Sequence, residues 1–161
     1  MKDKTACFTG HRNIPKGEIE DVRRHLYYTI VDLIDSGYCY FGAGGARGFD
    51  TVAAQTVLDL KKQYPHIRLI LVLPCLTQTR GWKEEDIRMY EYIKEKADKF
   101  VYTAENYFNG CMQKRNRHLV DYSSICICYL SSNKGGTAYT VNYALKNGLD
   151  IINIYEKAAI N

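Results

Sequence analysis

The chain has 161 residues, of which 46% are apolar and 25% charged, and carries a net charge of +4. A domain of this length buries about two-thirds of the surface its unfolded form exposes, so no disulfide or metal staple is needed, and the composition excludes disordered and fibrous classes. The mild positive charge admits an anionic ligand but falls short of the basic stripe of a dedicated nucleic-acid binder.

The first stretch, MKDKTACFTGHR, lacks a long apolar segment and a small-residue cleavage site, and a short strand is expected over residues 5–9. Apolar residues at 19, 22, 26, 30, 33 and 34 are spaced by three and four, so residues 16–36 read as an amphipathic helix stopped by Gly37. A strand over 38–42 and a helix over 49–63 follow, then the strongly apolar strand 67–74 ending at Pro74. The longest apolar stretch, Ile67 to Leu76 broken by Arg68, is far too short to span a bilayer; no membrane association is expected, and a cytoplasmic location is. Helix 84–97, strand 99–103, helix 111–122, strand 124–130, helix 137–147 and strand 150–155 complete six strands and five helices.

Strict alternation with continuous apolar strands such as LILVL and ICICYL implies a mostly parallel sheet covered by helices on both faces. The expected fold is α/β: one Rossmann-like, doubly wound sheet of about six strands, with residues 1–161 forming a single nucleotide-binding domain. The six cysteines include no C-x-x-C pair, and Cys126 and Cys128 alternate with Ile125 and Ile127 in a strand. They read as small buried hydrophobes, with no disulfide and no metal site expected.

In an open parallel sheet the loops leaving the C-terminal ends of the strands share one edge, where ligands bind. Gly10, His11 and Arg12 follow the first strand, GAGGARGFDT (42–51) the second, a loop with the sole Trp, Trp82, the third, and Ser131 to Thr137 the fifth. A glycine-rich turn feeding a helix N-terminus lets backbone N–H groups approach an anion. Gly44, Gly45 and Gly48 are therefore candidates to cradle phosphate, as are Lys134, Gly135 and Gly136, with the Thr137 hydroxyl capping the helix or touching the ligand. Arg12 and Arg47 supply charge. Asp50 either caps its helix or bonds a ribose hydroxyl; His11 is either a satisfied loop donor or, with Arg12, an anion clamp; Trp82 either stacks on a base or packs. The dinucleotide fingerprint is one residue out of register in Gly42-x-Gly44-x-x-Arg47-Gly48, with no acidic residue closing a second strand, and G-x-x-x-x-G-K-[ST] is missing. A dehydrogenase and a P-loop NTPase are both disfavoured.

Taken together, TGHR, GGARGFD, the stretch Met112 to Asp121 (MQKRNRHLVD) and KGGTAYTVNYA resemble the SLOG superfamily, and most closely its YpsA-like branch of small bacterial and phage proteins. The resemblance implies a Rossmann-like fold with a nucleotide or nucleotide-derived ligand at the glycine edge, of the NAD, ADP-ribose or cyclic-nucleotide kind, with no cofactor required. It adds Arg115 as a source of charge, Asn116 as a ribose or base contact, and Tyr139, beside Trp82, as a stacking face. Two relatives imply different activities. The LOG-type phosphoribohydrolases, which cut the N-glycosidic bond of nucleoside 5′-monophosphates, share Met112, Arg115 and Gly136-Thr137, and Arg115 would be catalytic in such an enzyme. Their two glutamates are unmatched, however: Lys114 precedes the Arg, and Tyr139 or Thr140 takes the second place. An oxocarbenium-like state needs a carboxylate and the attacking water a base, so binding without turnover is expected, with Asp50 or Asp121 the remaining substitutes. The DNA-processing protein DprA carries a loop like residues 45–51; it implies single-stranded DNA binding, which the mild charge disfavours. The LOG likeness also implies a homodimer or higher homo-oligomer, which no sequence feature settles. The expected role is that of a sensor, regulator or sequestering protein.

Overall fold

The computed structural model describes residues 1–160, with side chains through Lys157. Six strands, β1 (Thr5–Gly10), β2 (Tyr40–Ala43), β3 (Arg68–Leu73), β4 (Lys99–Tyr102), β5 (Ile125–Tyr129) and β6 (Asp150–Asn153), form one all-parallel sheet in the order β4-β3-β2-β1-β5-β6. The chain walks outward from β1 to β4, then crosses back to lay β5 on the other side of β1. The strand order therefore reverses at β1, the position that opens a crevice in doubly wound sheets.

Helices α1 (Ile19–Asp35), α2 (Phe49–Lys61), α3 (Glu84–Lys96) and α6 (Ile154–Ile160) pack on one face; α4 (Cys111–Asp121) and α5 (Gly136–Lys146) pack on the other. The larger core lies under the first group. Phe8 and Phe41 stack at 6.3 Å, and Phe49, the first residue of α2, stacks on Tyr129 at 5.9 Å. Fully burying an aliphatic or aromatic side chain of this size is worth about 1.5–3 kcal/mol, so these rings fix α2 against both β1 and β5. The strand residues that alternate with them, Cys7, Cys126 and Cys128, face α4 and α5. Burial pushes the Cys128 thiol up to about 12, which leaves it a packing residue.

The expected elements all form, with one correction at the end of the chain. The strand expected over 150–155 stops at Asn153 and turns directly into α6. Asn153 ends it: its Oδ1 accepts from the Leu130 and Tyr155 N–H groups, and its Nδ2 donates to the Leu130 carbonyl. One side chain thus continues the β5–β6 ladder and caps the next helix. Among the described residues, no helix is long and apolar enough to cross a membrane.

Candidate functional site

A cavity of about 280 Å³ opens at the C-terminal edge, over the strand-order reversal. Five segments wall it: residues 9–12 at the end of β1 and just beyond, Ala46, Arg47 and Asp50 after β2, Gln78 and Trp82 after β3, the start of α4, and the start of α5. His11 fastens its own segment to the β2 loop and to the end of β5. Its N–H donates to the Tyr129 carbonyl, its carbonyl accepts from the Phe49 N–H, and its Nε2 accepts from the Ser131 N–H at 2.9 Å. The imidazole is thus a neutral tie between loops, consistent with burial holding its pKa below the ordinary value.

The glycines of the β2 loop act by letting groups come close. Gly48 has φ +80°, and a Cβ there would overlap the Arg12 carbonyl oxygen, so only glycine lets the β1 and β2 loops meet. A Cβ at Gly44 would lie 2.6 Å from the Arg115 guanidinium. That space is what admits Arg115 from α4: its Nη1 donates to the Gly44 carbonyl and its Nε to Asn116 Oδ1 at 2.7 Å. Gln78 converges on the same oxygen, Nε2 donating to Gly44 at 3.2 Å.

Arg115 is only 5% exposed, and no carboxylate comes within ion-pair distance of it among the described residues. Its guanidinium pKa is lowered by burial first, with nearby Asp50 pulling the other way. Asp50, 6% exposed, is pushed up to about 6 by burial, against the opposing pull of Arg115. It does not cap α2. Its Oδ2 accepts instead from the Ala46 N–H at 3.4 Å, inside the loop. Arg47 lies with its guanidinium 4.8 Å from the centre of the Trp82 ring, so that ring orients a cation. Among the described residues, three buried side-chain atoms find no hydrogen-bond partner, Arg47 Nε, Asp50 Oδ1 and Gln78 Oε1, and all three residues line this cavity.

Of the residues singled out in the sequence, Gly10, His11, Arg12, Arg47, Asp50, Trp82, Arg115, Asn116, Gly136 and Thr137 meet at this cavity. Gly44, Gly45 and Gly48 stand behind it as spacers. Lys134 and Gly135 are exposed on the approach to α5, and Tyr139 lies outside, its hydroxyl accepting from Arg117 at 3.1 Å. The cavity also includes Thr9, Ala46, Met112 and Gln78. Gln78 is the consequential addition, a polar residue that only the fold buries. Asp121 is exposed and accepts from the Tyr143 hydroxyl, leaving Asp50 the carboxylate in the cavity.

Three arginines against one carboxylate give the cavity an excess of positive charge, and the N-terminus of α5 adds to it. No side chain caps that helix, and its first residues, Gly136 and Thr137, face the cavity. The arrangement can hold an anion at its floor.

Comparison with known proteins agrees with this architecture. The chain is 31% identical over 137 residues to the SPbeta prophage-derived protein YoqJ of Bacillus subtilis, covering 77% of this chain and 80% of that protein. A UPF0398 protein of Halalkalibacterium halodurans is 30% identical over 153 residues, covering 89% and 81%. Among solved structures, DNA processing protein A from Streptococcus pneumoniae superposes with a TM-score of 0.67 at 18% identity, over 93% of this chain. The chain spans half the length of that pneumococcal protein. The Helicobacter pylori protein, whose structure concerns single-stranded DNA binding, superposes at 0.66 with 17% identity, over 99% of this chain and 73% of that one. At such identities the likeness is one of fold. Residues 8–155 match the family described as the YspA SLOG family, and with its Rossmann-like sheet and glycine-loop edge the chain belongs to that SLOG family.

Proposed function

We propose that the chain binds a phosphorylated, nucleotide-derived ligand at this edge and acts through binding, as a sensor, regulator or sequestering protein. The observation that carries this reading is Arg115, a buried guanidinium with no ion-pair partner among the described residues. Burying a charge is expensive unless something compensates it, and Arg12 and Arg47 add like charge to the same cavity. A phosphate supplies the missing negative charge and accepts from several N–H groups at once. The cavity of about 280 Å³ is close to the lower limit for small-ligand sites, which favours a mononucleotide-sized group over a strand of nucleic acid.

The test is a thermal-shift screen against nucleoside monophosphates, NAD, ADP-ribose and cyclic dinucleotides, with chromatography of each mixture after incubation. Ligand at one hundred times its dissociation constant stabilises by about 2.7 kcal/mol, a shift of about 5–10 °C for a domain of this size. A shift with the nucleotide recovered intact supports the reading. Free base would make the protein an N-glycosidase with Asp50 as its carboxylate. Single-stranded DNA binding is the second reading, favoured by the fold shared with DNA processing protein A; oligonucleotide affinity falling steeply with salt would establish it.

A further inference from the structure

We propose that the face of the sheet beside α4 is a docking groove for an acidic amphipathic helix of a partner protein. The proposal is independent of the anion cavity, with which the groove shares no lining residue.

A parallel sheet ordinarily has both faces covered by helices, because its strands are apolar on both sides. Neighbouring strands lie about 4.8 Å apart and packed helices about 10 Å apart, so one helix serves roughly two strands. Helices α1, α2, α3 and α6 cover the first face, but the second has α4 and α5 alone, which pack over β1, β3, β5 and β6. On that side β4 and the adjoining part of β3 open onto a groove of about 640 Å³.

Strand alternation sets the floor of this groove. Leu69, Leu71 and Leu73 turn to the first face, and Phe100 and Tyr102 meet Lys94 of α3 there. Ile70, Val72 and Val101 are left to face the groove, and Ile70 and Val101 stay partly exposed. The wall comes from Leu119 of α4, which sits over Gly42 of β2, and from the exposed ring of Tyr122.

The rim is cationic. Lys99 begins β4 and Lys2 precedes β1, both at the N-terminal edge of the sheet, whereas Lys114 lies in the first turn of α4, at the opposite edge. None of these lysines is in an ion pair among the described residues, and no Asp or Glu lines the groove.

Charge and width together select the occupant. A second copy laid on the same face about a two-fold axis would bring one lysine rim against the other, where like charges repel. An acyl chain is no wider than one strand spacing and would leave most of the floor wet. A helix about 10 Å across fills it. Strand β3, with six residues, runs roughly 20 Å, the length of about 14 helical residues. Apolar side chains at i, i+3, i+4 and i+7 of such a helix would reach the floor. Its acidic ends would meet Lys2 and Lys99 on one side and Lys114 on the other.

The experiment pans a displayed library of randomised helix-forming peptides, each about 14 residues long, against the full chain. The best binder is then measured by fluorescence anisotropy against the parent, Val101→Glu and the double variant Lys99→Glu with Lys114→Glu, each checked for folding by circular dichroism. Selected sequences should carry the apolar stripe with acidic ends. Their affinity should fall about tenfold or more with either variant and decline with added salt. Changing the peptide's acids to lysine should restore binding to the double variant. That variant alters only exposed side chains, so it carries the test if Val101→Glu does not fold. Selected sequences without acidic ends, binding that the folded variants retain, or a library that yields no binder overturns the proposal. A parent dimer seen by sedimentation and lost in Val101→Glu also overturns it, by giving the groove to a second copy. So does a long-chain fatty-acid anion that binds there in place of any peptide.

Discussion

At the scale of single residues, the cavity gathers buried polar groups that cost stability. Arg115 is buried with no carboxylate within ion-pair distance among the described residues, so Arg115→Met should leave the ligand-free protein within about 1 kcal/mol of the parent or more stable, because a buried charge without a close partner is removed. The same variant should lose the nucleotide-induced thermal shift; a fall in ligand-free stability of 3 kcal/mol or more would instead make Arg115 a structural residue. Asp50 makes a pH prediction of definite sign. Its carboxyl goes from an ordinary value of 3.8 to about 6 on folding, so between pH 4 and 6 the folded chain holds more protons than the unfolded one. Stability from this group therefore falls as pH rises through that window, by at most about 3 kcal/mol. Chemical denaturation of Asp50→Asn beside the parent should show the difference moving in the variant's favour from pH 4 to 6 and staying constant above. Most of the residues that gather here were legible as unusual residues at strand ends. What the sequence did not reveal was how the loops fit together: a Cβ at Gly44 would meet Arg115 and one at Gly48 would meet Arg12, so both glycines make room for neighbouring groups. Gln78 carried no signal, because a glutamine in a loop is ordinarily solvated until folding encloses it.

At the scale of elements, periodicity was nearly sufficient. Apolar spacing located all six strands and the first five helices, since a buried strand and an amphipathic helix each need a continuous apolar surface. The exception, α6, is instructive. Residues 150–155 are rich in isoleucine, as a strand would be, and the deciding interaction is the Asn153 side chain, whose hydrogen bonds replace ladder bonds on one side and cap a helix on the other. The signal was present in Asn153-Ile154-Tyr155-Glu156, which has the spacing of a capping box. Asn153→Ala should cost about 1–2 kcal/mol in urea unfolding, and amide exchange should quicken at Leu130 and Tyr155 before the rest of β5. If those two amides keep their protection, the cap is not what holds α6 to the sheet.

At the scale of the molecule, the sheet topology decides where chemistry can occur. The reversal at β1 brings to one edge segments as far apart in sequence as Thr9 and Thr137, and the mild net charge of +4 suits a compact anion better than a long polyanion. The crossing from β4 to β5 also divides the molecule in an unexpected way. A cut in the connection between β4 and α4 would leave β1 and the arginines at positions 12 and 47 in one fragment, and Arg115 with the start of α5 in the other. Neither fragment carries the whole cavity, but the two share the β1–β5 seam, along which five residue pairs are in register from Ala6 with Ile125 to Gly10 with Tyr129. On the proposed nucleotide-binding reading, the severed protein would behave as a ligand-gated pair of halves, reassembling more tightly when the nucleotide is present, so that the seam beneath the cavity becomes a reporter of what fills it.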